Sequence, residues 1–308
     1  MKSSIIILKE DFCEEWLPVL KNAGVKTLGL HFVVTENTLE DFLRWLKTAR
    51  PLIEKFESAG IEIEYEVHAV GQLLTKTHFD AHPEYYRMDE TGNRNPDYNL
   101  CPSNKEALEL LSNAAFEMAK FLKQNGHRYH IWMDDKELFC ACEDCKKLTL
   151  ADQNLLCMQA VLSGLKRYDK DAKLCYLAYG AIFDPPTLPI PKDIFLEFAP
   201  MNRDLSMPIT KEADKKVRAD LDRLLQVFDP ADAEVLEYFL DESLFSGYNR
   251  NNVKAIDFRP EITRQDLEYY KSKGVGWVKT FGAYIDKSYF EKYSSDVVVS
   301  YGKLFEKL

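Results

Sequence analysis

Short apolar runs alternate with stretches of three-and-four apolar spacing from one end of this chain to the other. Eight runs read as strands, at residues 4–8, 26–32, 61–68, 129–134, 173–179, 194–199, 234–239 and 275–281. The segments between them read as helices, at 14–22, 39–58, 105–124, 152–168, 211–227 and 264–272, and 287–307 closes the chain. Eight strand units in 308 residues fit one α/β domain over 1–308, a (β/α)8 TIM barrel with elongated loops after its strands. A doubly wound open sheet is the competitor, but no Gly-rich phosphate loop follows the first strand. The stretch 180–193 joins two strands with little room for a helix.

In a closed barrel the apolar side of each strand packs on helices, so polar residues alternating with apolar ones should point inward. That alternation turns Thr27, Gly29 and His31 inward on the second strand, and Glu64, Glu66 and His68 on the third. On the fourth it turns His130, Trp132 and Asp134 inward, with Asp135 next in line. Glu197 is the inward acid of the sixth strand. The seventh is read with Leu236, Tyr238 and Leu240 outside, so that Glu237 and Phe239 point in and lead toward Asp241 and Glu242.

Unpaired buried charge is expensive, so acids gathered at strand ends call for a chemical reason. Two carboxylates across a cavity suit glycosidic cleavage: one protonates the leaving oxygen, and the other acts as nucleophile, activates water or steadies a substrate amide. The candidate catalytic residues are therefore Asp134, Asp135, Glu237, Asp241 and Glu242. Two adjacent pairs, Asp134-Asp135 and Asp241-Glu242, compete for the working role, and the plain alternative for Asp241-Glu242 is a helix cap with a first-turn acid. His31, His68, Arg94, Trp132, Tyr179 and Trp277 are the candidate sugar-contacting residues.

The formal charge of −10 disfavours nucleic acid and anionic membrane surfaces as partners. The start MKSSIIILKEDF offers too short an apolar stretch for the central region of a signal peptide, so cytoplasmic residence is expected of the chain as written. Three of its seven cysteines crowd into Cys140, Cys142 and Cys145, and Cys101 is available as a fourth thiol. In a reducing compartment this spacing reads as a closed structural zinc site, with no metal required for catalysis. Buried small hydrophobes, or a Cys101 disulfide in exported proteins, are the alternatives.

One loop carries His82-Pro83-Glu84-Tyr85-Tyr86 through Gly92 and Arg94 to Leu100-Cys101-Pro102-Ser103-Asn104. Asp135 with the three-cysteine cluster follows, then Tyr238, Asp241, Ser243 and Leu244, with Gly29-Leu30-His31 a looser match. In that order these segments resemble the domain-of-unknown-function family 4838, part of which is classed as glycoside hydrolase family 163. The resemblance implies a TIM-barrel hydrolase acting on N-acetylglucosamine-containing glycans, in its best-known members by endo cleavage of N-glycans. It also implies larger, exported relatives with a preceding accessory domain. The expected function is thus a glycoside hydrolase of amino-sugar glycans, retaining and substrate-assisted. A non-catalytic carbohydrate-binding barrel is one alternative. Another is a metal-dependent sugar isomerase or hydrolase using Glu66, His68, Glu197 and Glu237. The oligomeric state is not legible.

Overall fold

The computed structural model describes residues 1–33, 38–136 and 138–308. Its strands are β1 (Lys2–Leu8), β2 (Thr27–His31), β3 (Glu62–His68), β4 (Arg128–Trp132), β5 (Lys173–Ala178), β6 (Ile194–Phe198), β7 (Glu234–Glu237) and β8 (Trp277–Phe281). They pair in parallel in chain order, and β8 closes on β1 with Lys2 opposite Trp277 and Ile6 opposite Phe281. The chain therefore folds as the expected eight-stranded α/β barrel. The described α-helices are α1 (Trp16–Ala23), α2 (Leu39–Ser58), α3 (Val70–Leu73), α4 (Lys105–Ala119), α5 (Leu150–Tyr168), α6 (Lys215–Leu224), α7 (Glu242–Phe245), α8 (Pro260–Ser272), α9 (Lys287–Tyr293) and α10 (Asp296–Leu304). No helix separates β5 from β6. No described helix is long and apolar enough to cross a membrane.

Local chemistry sets the helix starts. Thr38 and Asp41 form a reciprocal capping box on α2, Asn104 accepts from the Ala107 amide at the head of α4, and Thr149 caps α5 through Asp152 N. The outward faces of the strands, including Leu28, Leu30, Ile63, Tyr65, Val67 and Ile131, bury into one core with the helices. A smaller apolar cluster of Ile6, Trp132, Cys175, Leu177, Phe195, Ala199 and Leu236 fills the barrel itself.

Below that cluster the interior is charged. Lys279 of β8 is fully buried, with its Nζ 2.7 Å from Glu234, 3.2 Å from Glu66, 3.4 Å from Glu64 and 3.6 Å from Glu197. His130 Nε2 lies 3.0 Å from the same ammonium and 3.0 Å from Glu234 Oε2. Burial pushes Glu66 up to about 8, while Lys279 and Arg128 outweigh burial at Glu234 and hold it well below the usual carboxylate range. Gly29 makes room for this layer, because a Cβ there would sit 2.3 Å from Glu66 Oε1.

The alternation read from the sequence holds on β2, β3 and β4 and fails on β7. There Glu234 bonds to the interior charges and Leu236 joins the interior cluster, whereas Val235 lies in the helix-side core. Glu237 therefore points outward, where its carboxylate accepts from Arg203 Nε at 2.9 and 3.1 Å and from the Tyr270 hydroxyl of α8. A buried arginine supplied by the β6–α6 loop makes the helix side tolerable for an acid that periodicity placed inside.

Candidate active site

Loops leaving the carboxyl ends of the strands enclose a cavity of ≈ 390 Å³. Its floor and walls come from strand-end side chains: Leu8 of β1, His31 of β2, His68 of β3, Trp132 of β4, Leu177 and Tyr179 at the end of β5, and Phe281 of β8. Asp135, Tyr238, Asp241, Ser243, Tyr248 and Tyr284 complete the polar and aromatic lining. This is the end of such a barrel where side chains from different strands converge.

Asp241 lies just beyond β7 and caps the short helix α7. Its Oδ1 accepts from Ser243 Oγ at 2.5 Å, Ser243 N at 3.1 Å and Leu244 N at 3.3 Å. Burial pushes its carboxyl up to about 6, against those hydrogen bonds. Asp135 faces the same cavity from the end of β4, is 41% exposed, and stands 3.6 Å from His68 Nε2. His68 Nδ1 donates to the Met133 carbonyl at 2.6 Å, which leaves Nε2 for Asp135. His31 Nδ1 likewise donates to the Glu66 carbonyl at 2.6 Å, and burial together with His68 pushes this imidazole down to about 3, keeping it neutral.

The two adjacent acidic pairs are split by the structure. Asp134 turns into a small adjoining void of ≈ 20 Å³, where its Oδ1 accepts from Lys136 N at 2.9 Å. Glu242 turns away into a separate groove and accepts from Lys254 N at 2.8 Å. Glu237 is remote from the cavity, behind the barrel wall with Arg203. Asp134 and Glu242 lie past the strand ends, where loop geometry rather than the two-residue period directs the side chain, whereas Glu237 is still on β7 and departs because that strand takes the opposite parity.

Of the candidate sugar contacts, His31, His68, Trp132 and Tyr179 line the cavity. Trp132 is held by donating its Nε1–H to Glu197 Oε2 at 2.8 Å. Trp277 does not line it. It begins β8 at the opposite end of the barrel, with Lys2 Nζ 3.9 Å and the Arg128 guanidinium 5.1 Å from its ring. Arg94 does not line it either, since its Nη1 donates to Tyr86 O at 2.7 Å and lies 3.8 Å from Cys140 Sγ. The oxygen-rich set Glu66, His68, Glu197 and Glu237 is not assembled: Glu66 and Glu197 surround the Lys279 ammonium, and Glu237 faces the helix layer.

Cys101, Cys140, Cys142 and Cys145 converge, all buried, with their sulfurs within 4.8 Å of one another. The sequence reading missed Tyr238, Tyr248 and Tyr284. Tyr238, one residue past β7, is expected outside by the alternation read for that strand and lines the cavity instead. Tyr248 and Tyr284 sit in loops with no periodic signal, at φ 60° and 66°, and bulky residues held in that region cost about 1–3 kcal/mol each. The Tyr284 hydroxyl donates to Tyr248 O at 3.3 Å, tying the two strained segments together over the cavity.

The family model described as domain of unknown function (DUF4838) matches residues 35–280. No curated protein matches by sequence. Among solved structures, the fold is similar to a β-N-acetylhexosaminidase from Bacteroides fragilis NCTC 9343, with TM-score 0.58 and 12% identity over 98% of this chain and 65% of that one. This chain thus spans just under two thirds of the hexosaminidase. A glycoside hydrolase family 5 enzyme from Prevotella bryantii B14 gives TM-score 0.57 and 9% identity over 96% of this chain and 87% of that one. A β-galactosidase from Rahnella sp. R3 gives 0.60 and 11% over 100% and 56% respectively. At these identities the likeness is one of fold.

Proposed function

The chain belongs to the DUF4838 family, and with that as premise we propose that it is a glycoside hydrolase acting on glycans that contain N-acetylglucosamine. The observation that carries the reading is that Asp135 and Asp241, from the segments that follow β4 and β7, face one cavity lined by Trp132, Tyr179, Tyr238 and Tyr248. Carboxyls from separate strands over an aromatic-walled cleft are what cleavage at an anomeric centre uses, and the rings offer apolar faces to pyranose C–H groups.

In this proposal Asp241 is the proton donor. Burial keeps it protonated up to about pH 6, and its bonds to Ser243 and Leu244 fix its orientation. Asp135, backed by His68, accepts the N–H of the substrate's 2-acetamido group, whose oxygen attacks the anomeric carbon as Asp241 protonates the departing glycosidic oxygen. The Asp241 carboxylate then takes a proton from the water that opens the cyclic intermediate, and the anomeric configuration is retained. The likeness in fold to a β-N-acetylhexosaminidase supports the substrate class.

One observation favours the rival reading of a carbohydrate-binding barrel without turnover: Asp241 already has a structural task as the cap of α7. Turnover of aryl N-acetylglucosaminides and N-glycans, measured beside glycan binding, separates the two. Hydrolysis with retained configuration is expected. Binding without turnover of any member of the panel overturns the hydrolase reading.

A further inference from the structure

Cys101 Sγ lies 3.7 Å from both Cys142 Sγ and Cys145 Sγ. A disulfide needs its sulfurs at about 2.05 Å. A tetrahedron of sulfurs each about 2.3 Å from a central zinc has edges of about 3.8 Å. The spacing is therefore that of ligands around one ion. The groups against the sulfurs are donors: Met88 N donates to Cys140 Sγ at 3.3 Å, Arg94 Nη1 stands 3.8 Å from the same atom, and Ser103 Oγ is 3.1 Å from Cys145 Sγ. Four thiolates around Zn²⁺ leave a net negative charge, and a guanidinium with N–H and O–H donors is the surrounding such a charge requires.

We propose that Cys101, Cys140, Cys142 and Cys145 bind one zinc ion as a closed tetrathiolate centre that ties the α3–α4 loop to the β4–α5 loop, with Arg94 as its charge-compensating neighbour. The four thiols give up their protons to solvent as the Zn–S bonds form, and no position is left open for chemistry. The centre stiffens the cavity wall through Asn99, two residues before Cys101. Its Oδ1 accepts from Asp134 N at 2.9 Å and its Nδ2 donates to Leu138 O at 3.0 Å, so it straps both sides of Asp135. Gln153 fastens the other end by accepting from Cys140 N at 3.1 Å and donating to Cys140 O and Cys145 O, each at 3.2 Å. The metal centre is independent of the hydrolase reading.

The test is metal analysis of the full chain purified without chelator, with release followed by a thiol-blocking mercurial and a zinc indicator. One zinc per chain is expected, and protein produced with cobalt should show the absorption of a tetrahedral cobalt tetrathiolate. Arg94→Gln should fold and give up zinc to a competing chelator about 10–100-fold more readily, the scale of a lost neighbour to a ligand. Unchanged retention in that variant overturns the role of Arg94. Cys142→Ser should bind zinc more weakly; if it does not fold, the wild-type metal content decides. Four thiols that titrate in native protein with no stoichiometric metal overturn the centre, as do disulfides among the four or iron in place of zinc.

Discussion

His68 Nε2 stands 3.6 Å from Asp135 Oδ1 at the mouth of the barrel. Because Nδ1 is committed to the Met133 carbonyl, the neutral ring presents a lone pair to the carboxylate, and the two attract only when one proton lies between them. The pair therefore acts as one unit. His68→Ala should lower kcat tenfold or more, and adding it to Asp135→Asn should cost little further, because groups acting together are not additive. Full additivity in a double-mutant cycle would show two unconnected side chains.

Asp241 has two tasks that one substitution separates. Asparagine is as good a helix cap as aspartate, so Asp241→Asn keeps α7 in place while removing the transferable proton. Loss of kcat by about a hundredfold or more is expected, with glycan binding retained. Substrates whose leaving group needs no protonation should recover much of the rate in this variant and not in Asp135→Asn. Recovery in the reverse order would exchange the two assigned roles.

Most of the barrel was legible because its strands and helices obey simple periods. The inward set Glu64, Glu66, His68, His130 and Trp132 followed from alternation alone. β7 broke the reading because it carries acids on both parities, Glu234 and Glu237, and nothing local says which one has the buried partner. Those partners, Lys279 and Arg203, lie 45 and 34 residues away along the chain, so the choice is made by tertiary contacts. At the site, strand residues and those just past a strand end, Asp135, Tyr179 and Asp241, were legible, whereas Tyr248 and Tyr284, further out in the loops, were not. Tyr248 and Tyr284 owe their positions to left-handed backbone conformations, and Arg94 was drawn to the cysteine cluster by contacts that no spacing encodes.

The outward placement of Glu237 gives a contrast with Asp241. Glu237→Gln leaves Arg203 beside Asp266 but removes one charge of a fully buried network, which should cost about 1–3 kcal/mol of stability. Because this side chain does not line the cavity, kcat of the folded protein should stay within a few-fold of wild type. A hundredfold loss of kcat with an unchanged melting temperature would place Glu237 in the chemistry after all.

Asp241 also links stability to pH. Its carboxyl titrates at about 6 in the folded chain against an ordinary 3.8, so the folded state holds the proton more tightly than the unfolded state. Its contribution is then fully present below about pH 4 and is lost as pH rises through 6, by roughly 3 kcal/mol in all. Asp241→Asn has no such dependence. The wild type should therefore lose stability relative to the variant between pH 4 and 6.5 in denaturant melts, and a constant difference across that window would mean that Asp241 is not held protonated by its burial.

Lys279 is the most consequential charge in the barrel, since four buried acidic side chains surround its ammonium. Replacing it by methionine preserves length and volume but strands Glu234, which the ammonium holds ionised, among three further acids. Removing one member of a buried pair typically costs about 3–5 kcal/mol, and here several partners are left behind. Glu234 can escape only by taking up a proton, which raises its folded pKa above the unfolded one, so stability is retained at low pH and lost as pH rises. Lys279→Met should accordingly melt far below wild type at pH 8 and regain part of the difference at pH 5. Equal destabilisation at both pH values would mean that Glu234 is not held ionised by Lys279 in the wild-type chain.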